Sequence, residues 1–182
     1  MRVIAGQARG IQLNTPEGMK TRPTADRVKE AMFSIIQFDL PSAKVLDLFG
    51  GTGQLGIEAL SRGASYATFV DAEKNACALI RDNLKRTKFD LQAKVVCSDY
   101  EIFLKNTTDK YDIVLLDPPY AEVFLEKSLK MITEIDILQY NGIIVTERPL
   151  GKELSCDFPG FIRSKDYKYG KTLVTLFRKE EA

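Results

Sequence analysis

The sequence predicts an α/β protein: a doubly wound, mostly parallel, seven-stranded sheet preceded by a small N-terminal hairpin. Three observations predict it. Short apolar runs alternate along the chain with amphipathic segments of helical period. One run, Val45-Leu46-Asp47-Leu48-Phe49, breaks at once into Gly50-Gly51-Thr52-Gly53 and then a helical stretch. Strand, glycine turn and helix are how an open parallel sheet makes a ligand crevice at the carboxyl ends of its strands. Finally, successive strands close on aspartates: Asp47, Asp71, Asp99 and Asp117.

The elements follow in order. Val3, Ile4, Ile11 and Leu13 alternate weakly around Gly6 and Gly10 before a Pro16-Glu17-Gly18 turn. Residues 1–22 are expected as a β-hairpin extension outside the sheet, and residues 23–182 as one core domain. Thr24 is placed to cap a helix running to about Phe38, with Val28, Met32, Ile35 and Ile36 inward and Arg27, Lys29 and Glu30 outward. Pro41 ends it. After the central strand, Leu55 to Leu60 carry a helix stopped near Gly63. Strand two ends at Asp71, and a helix runs from about Glu73 to Arg86. Strand three ends at Asp99, followed by a short helix from Glu101 to Lys105. Tyr111 to Asp117 form strand four, and Phe124 to Ile135 a helix. "GIIVTE" is strand five. Phe161 to Tyr167 and Thr172 to Arg178 form a closing antiparallel hairpin about Tyr169-Gly170-Lys171.

Charge is nearly balanced, 26 basic residues against 25 acidic, so no global polyanion-binding signature exists. The ends are locally basic. Residues 1–30 hold Arg2, Arg9, Lys20, Arg22, Arg27 and Lys29, and residues 161–179 hold six more cations against Asp166 alone. That distribution permits a local nucleic-acid face. Cys77, Cys97 and Cys156 have no metal-ligand spacing, and the first two read as buried free thiols of a cytoplasmic protein. Histidine is absent, which excludes a histidine base or metal ligand. No signal peptide, membrane span or metal site is expected.

Gly51-x-Gly53-x-x-Gly56 with Asp71 twenty residues past Gly51 matches a dinucleotide fingerprint literally. Asp47 opposes that reading. A carboxylate there would face a doubly charged pyrophosphate, and like charges in a semi-buried site repel by several kcal/mol. The same carboxylate suits a cofactor carrying an ammonium and a sulfonium, which is S-adenosylmethionine. Four acids on one rim need a cationic, hydroxyl- and amine-rich ligand. Asp71 is placed for ribose hydroxyls, Asp99 for an adenine amino group and Asp47 for the methionine end.

"DPPY" at 117–120 carries the chemistry. Pro118 and Pro119 remove two donors and fix two φ angles, stiffening the loop. The Asp117 carboxylate and Pro118 carbonyl are left as acceptors beside the crevice. Two acceptors gripping an exocyclic amine can turn its delocalised lone pair toward a methyl donor. Tyr120 can stack on the base, worth about 1–3 kcal/mol.

The segments "RVIAGQARG", "TRPTADRVKEAMFSII", "VLDLFGGTGQLGIEALSRGA", "FVDAEKNA" and "YDIVLLDPPY" together resemble class I methyltransferases of Rossmann-like fold, and within them the RsmD family. That family methylates the N2 amine of one guanine in 16S rRNA. The resemblance implies that Asp47, Phe49, Gly50, Gly51 and Gly53 hold S-adenosylmethionine. It places Asp71 at the ribose, Asp99 at the adenine, Ala72 and Tyr100 among the cofactor-binding residues, and Asp117, Pro118, Pro119 and Tyr120 at the target amine. It also implies a small-subunit assembly intermediate as partner. Arg2, Arg9, Lys20 and Arg22 are then expected to grip RNA phosphates, although Arg22 equally suits the cofactor carboxylate. The competing expectations are an N6-adenine methyltransferase on DNA or RNA, a non-catalytic RNA-binding assembly factor of the same fold, and a nicotinamide oxidoreductase.

Overall fold

In a computed structural model the chain is described over residues 1–16, 23–118, 122–152, 154 and 158–180, with backbone alone at 23–25 and 122–123. The apolar runs form β1 (Lys44–Asp47), β2 (Tyr66–Asp71), β3 (Ala93–Cys97), β4 (Tyr111–Leu116) and β5 (Leu138–Pro149). The last stretch forms β6 (Phe161–Arg163), β7 (Tyr167–Tyr169) and β8 (Thr172–Lys179). Between them lie α1 (Pro23–Ile35), α2 (Gln54–Ser61), α3 (Lys74–Thr87), α4 (Tyr100–Asn106) and α5 (Glu122–Glu134).

The strand order is β3-β2-β1-β4-β5-β8-β6, parallel as far as β5 and antiparallel beyond. β7 also pairs with β8, so the sheet has eight strands where seven were expected. The difference is a bulge. β6 and β7 share the β8 edge opposite β5, and three residues, Ser164 to Asp166, face only Thr175 and Leu176. The Asp166 carboxylate leaves the ladder to accept from Thr175 Oγ1 and Arg148 Nη2, both at 2.6 Å.

Alternation divides the sheet between two cores. Val45, Phe69, Ile113, Leu115 and Val145 pack with Phe33, Ile36, Ile57 and Ile80 from α1, α2 and α3. Leu46, Leu48, Val114, Leu116 and Ile144 pack with Phe103, Leu129 and Ile132 from α4 and α5. This is the doubly wound arrangement the sequence predicts, with β1 at its centre.

The first helix corrects two expectations. Pro23 opens it, a position that suits its fixed φ, so Thr24 lies inside the helix and does not cap it. After Ile35 the chain turns, with Asp39 N–H donating to Ile36 O at 2.9 Å, and Phe38 is left exposed. Lys29, expected on the solvent side, is buried. Its ammonium donates to Arg2 O at 2.7 Å and lies 3.6 Å from Glu58. Burial pulls its pKa down, and the Glu58 charge works against that. Cys97, also expected inside, is exposed at the end of β3; Cys77 is buried.

Residues 1–13 double back on themselves outside the sheet, through an isolated Arg2–Gln12 bridge and Val3 N–H to Ile11 O at 3.0 Å, and residues 17–22 of the expected 1–22 hairpin lie outside the described residues. Glu58, fully buried, anchors it. Its carboxylate accepts from Ile4 N–H (2.8 Å), Ala5 N–H (3.0 Å) and Arg62 Nε (2.8 Å). Gly6 sits against α2 so closely that a Cβ would lie 1.8 Å from Ser61 O. Glu58 thus joins the hairpin, α1 and α2. Glu58→Ala strands two cations and two amide donors, and is expected to cost about 3–5 kcal/mol, read as a lowered urea midpoint. A midpoint within error of wild type contradicts this role.

Candidate active site

A cavity of about 1010 Å³ opens at the carboxyl ends of β1, β2 and β4. Asp47, Phe49, Gly50, Gly51, Asp71, Ala72, Asp99, Tyr100 and Asp117 all line it. The fold therefore brings both ends of the expected chemistry, Asp47 and Asp117, to one space. Met1 and Pro16 also line it, placing the N-terminal hairpin at its side.

The loop between β1 and α2 is built on glycine. Gly51 and Gly53 have φ of +54° and +80°, a region that L side chains rarely adopt. Gly53 lies outside the cavity lining and closes the turn, its N–H donating to Gly50 O at 2.6 Å. Gly56 lets α2 lie on β2, since a Cβ there would stand 2.3 Å from the Phe69 ring. That close approach lets Gly56 N–H reach Asp47 Oδ2 at 2.9 Å.

Asp47 is 1% exposed, and among the described residues its Oδ1 has no hydrogen-bond partner. Burial drives its pKa up to about 7, the Gly56 bond opposes this, and the charges of Asp117 and Asp71 add to it. A buried acceptor without a donor is costly. It fits a cationic ligand, as the ammonium and sulfonium of S-adenosylmethionine require. Asp71 shapes the loop as well as the wall, since Oδ2 accepts from Gly51 N–H and Oδ1 from Glu73 N–H, both at 2.8 Å. Asp99 does not close a strand. β3 ends at Cys97, and Asp99 caps α4 by accepting from Glu101 N–H (2.8 Å) and Ile102 N–H (3.4 Å). Beside it, the Phe49 and Tyr100 rings are 5.2 Å apart, and Phe124 meets Tyr100 edge-on at 6.0 Å. These rings offer a flat ligand an apolar end of the cavity.

On the other side Asp117 and Pro118 are half-buried, and burial lifts the Asp117 pKa to about 6. Pro119 and Tyr120, like Lys20 and Arg22, lie outside the described residues. Arg2 and Arg9 are exposed and do not line the cavity, and Arg2 Nε lies 3.5 Å from Asp26. Sequence reading missed Phe124 as a wall residue. It also missed Glu147, which follows Thr146 within β5 beside Asp117. The strand-closing acids are the signal that could have found it. Among the described residues, no group of three His, Cys, Asp or Glu side chains is placed to hold a metal ion, and no helix is long and apolar enough to cross a membrane.

Because folding raises the Asp47 pKa, its contribution to stability is complete below the ordinary value of 3.8 and is lost as pH rises through about 7. Asp47→Asn removes that loss. The ligand-free variant is expected to melt higher than wild type at pH 8, by about 2–4 °C per kcal/mol recovered, with little difference at pH 4. S-adenosylmethionine should no longer stabilise it. A variant that melts lower at pH 8, or still gains stability from the cofactor, contradicts this assignment.

Comparison with known proteins bears on the whole chain. The family model "Conserved hypothetical protein 95" matches residues 1–178. The Bacillus subtilis protein "Putative rRNA methyltransferase YlbH" is 37% identical over 98% of this chain and 99% of its own length. The Escherichia coli "Ribosomal RNA small subunit methyltransferase D" is 31% identical over 99% of this chain and 90% of its own. The solved structure "Putative methyltransferase yhhF from Escherichia coli" superposes with a TM-score of 0.89 at 29% identity, covering 99% of this chain and 98% of that one. The sheet order, the glycine loop and these matches converge, and the chain belongs to the RsmD family of methyltransferases, with their Rossmann-like fold.

Proposed function

We propose that this protein methylates the exocyclic N2 amine of a guanine in 16S rRNA during assembly of the small ribosomal subunit. The observation that carries the reading is one cavity lined by both the unpartnered acceptor Asp47 Oδ1 and the carboxylate of Asp117. S-adenosylmethionine is the cofactor, and it supplies an electrophilic methyl group on a sulfonium. Asp47 would hold the cationic end of that molecule, Asp71 and Ala72 the ribose, and Asp99, Tyr100 and Phe49 the adenine.

The target base leaves its stack to reach the pocket. Asp117 and the Pro118 carbonyl accept the two hydrogens of its amine and direct the nitrogen lone pair at the methyl, while Tyr120 stacks on the base. Nitrogen would take the methyl as the carbon–sulfur bond breaks, the sulfonium sulfur leaving as the neutral thioether of S-adenosylhomocysteine, and the cationic amine would pass its proton to Asp117 or to water. With its pKa lifted to about 6, Asp117 is a better proton acceptor than an ordinary carboxylate. Positioning supplies most of the rate. The rRNA substrate is supported by the names of the relatives. Arg2 and Arg9, with Lys20 and Arg22, contribute phosphate contacts.

The test is transfer of labelled methyl from S-adenosylmethionine to small-subunit particles from a strain lacking the protein, with the product nucleoside identified by mass. N2-methylguanosine is expected. Asp117→Ala should lower transfer about 100-fold or more while the cofactor still raises the melting temperature. N6-methyladenosine as product, no transfer by wild type, or undiminished transfer by Asp117→Ala overturns the reading.

A further inference from the structure

Glu147 has no part in the cofactor cavity, yet it stands next to the residue that would grip the amine. In the register of β4 and β5, Leu115 pairs with Val145 and Leu116 with Thr146. Asp117 and Glu147 are the next residues of these adjacent parallel strands. Leu115 and Val145 share the core under α1, α2 and α3, so two residues further on Asp117 and Glu147 project from that same face. The sheet order β1-β4-β5 sets Glu147 on the side of Asp117 away from the glycine loop. Arg148, the next residue, does not neutralise it, because its buried guanidinium pairs with Asp166 at 2.6 Å.

We infer that Glu147 reads the guanine edge, accepting N1–H and donating to O6, and so sets the base specificity of the site. The inference rests on the guanine-N2 reading above. Along the Watson–Crick edge of guanine the groups run N2–H2, N1–H, O6. With the amine held at Asp117 and facing the cofactor, the next two groups fall toward the next strand, where Glu147 stands. An ionised carboxylate offers acceptors alone, whereas a neutral carboxyl offers a donor and an acceptor side by side to match O6 and N1–H. The surroundings favour that form: burial, and then the charge of Asp117, push the Glu147 pKa up to about 8. Adenine presents a bare N1 and an amine where guanine presents N1–H and O6, and leaves the carboxyl mismatched.

The test compares guanine with 2-aminopurine at the target position of the RNA. The analogue keeps the N2 amine but lacks N1–H and O6. Intrinsic differences in their nucleophilicity cancel when the ratio of their kcat/KM values is compared between variants. Wild type is expected to favour guanine by about tenfold or more over that intrinsic ratio, as a two-bond contact to a base edge gives. Glu147→Ala should lose the preference while S-adenosylmethionine still raises its melting temperature. Glu147→Gln, whose amide offers a donor and an acceptor in the same places, should keep it. Preference unchanged in Glu147→Ala, or lost in Glu147→Gln, overturns the inference with the guanine reading intact. N6-methyladenosine as the wild-type product overturns the guanine reading itself, and this inference with it.

Discussion

At the end of the central strand one carboxylate is withdrawn from water with half of its hydrogen-bonding capacity unmet. Among the described residues, Asp47 accepts from Gly56 alone. It sits there because β1 is buried on both faces, with Val45 in one core and Leu46 in the other, so the strand cannot tilt its end into solvent. The glycine loop is shaped around that carboxylate. Positive φ at Gly51 and Gly53 turns the chain back, and the missing side chain at Gly56 brings an amide to Oδ2. A buried acceptor left short of donors costs free energy, and its retention here marks a place where a ligand completes the site.

Two sets of acids stand out in this molecule. Glu58 lies between Lys29 and Arg62 and collects two backbone amides, and Asp166 meets Arg148, Arg163 and Thr175. Cations and donors complete these acids, and they hold elements together. Asp47, Asp117 and Glu147 form a row across β1, β4 and β5 with their carboxyl pKa values raised by burial, and no cation in the described structure answers them. In a low-dielectric site such a row is tolerable when protons or a cationic ligand occupy it. The contrast marks where the protein expects a ligand and where it is finished by itself.

Alternating apolar runs and helical periods made the strand order's parallel half readable, because βαβ connections leave few topologies open. The glycine loop and "DPPY" are local signals, and they located Asp47 and Asp117. Long-range partnership was not legible. Lys29 looks like a solvent-side residue until Arg2 and Glu58 meet it from 27 and 29 positions away. Asp99 has the same sequence context as a strand-closing acid, but a seven-residue helix beginning at Tyr100 uses it as a cap. The bulge in the last strand depends on Arg148 reaching Asp166, which no periodicity announces. Glu147 was overlooked because its meaning comes from the neighbouring strand.

The central claim is that a cation on the cofactor neutralises a carboxyl that is half-protonated near pH 7. Calorimetric titration of S-adenosylmethionine into the protein at pH 7, in two buffers of different ionisation enthalpy, measures the protons exchanged on binding. With the Asp47 pKa at about 7, binding should release up to about half a proton to the buffer. Binding with no proton release, or with uptake, would contradict the account.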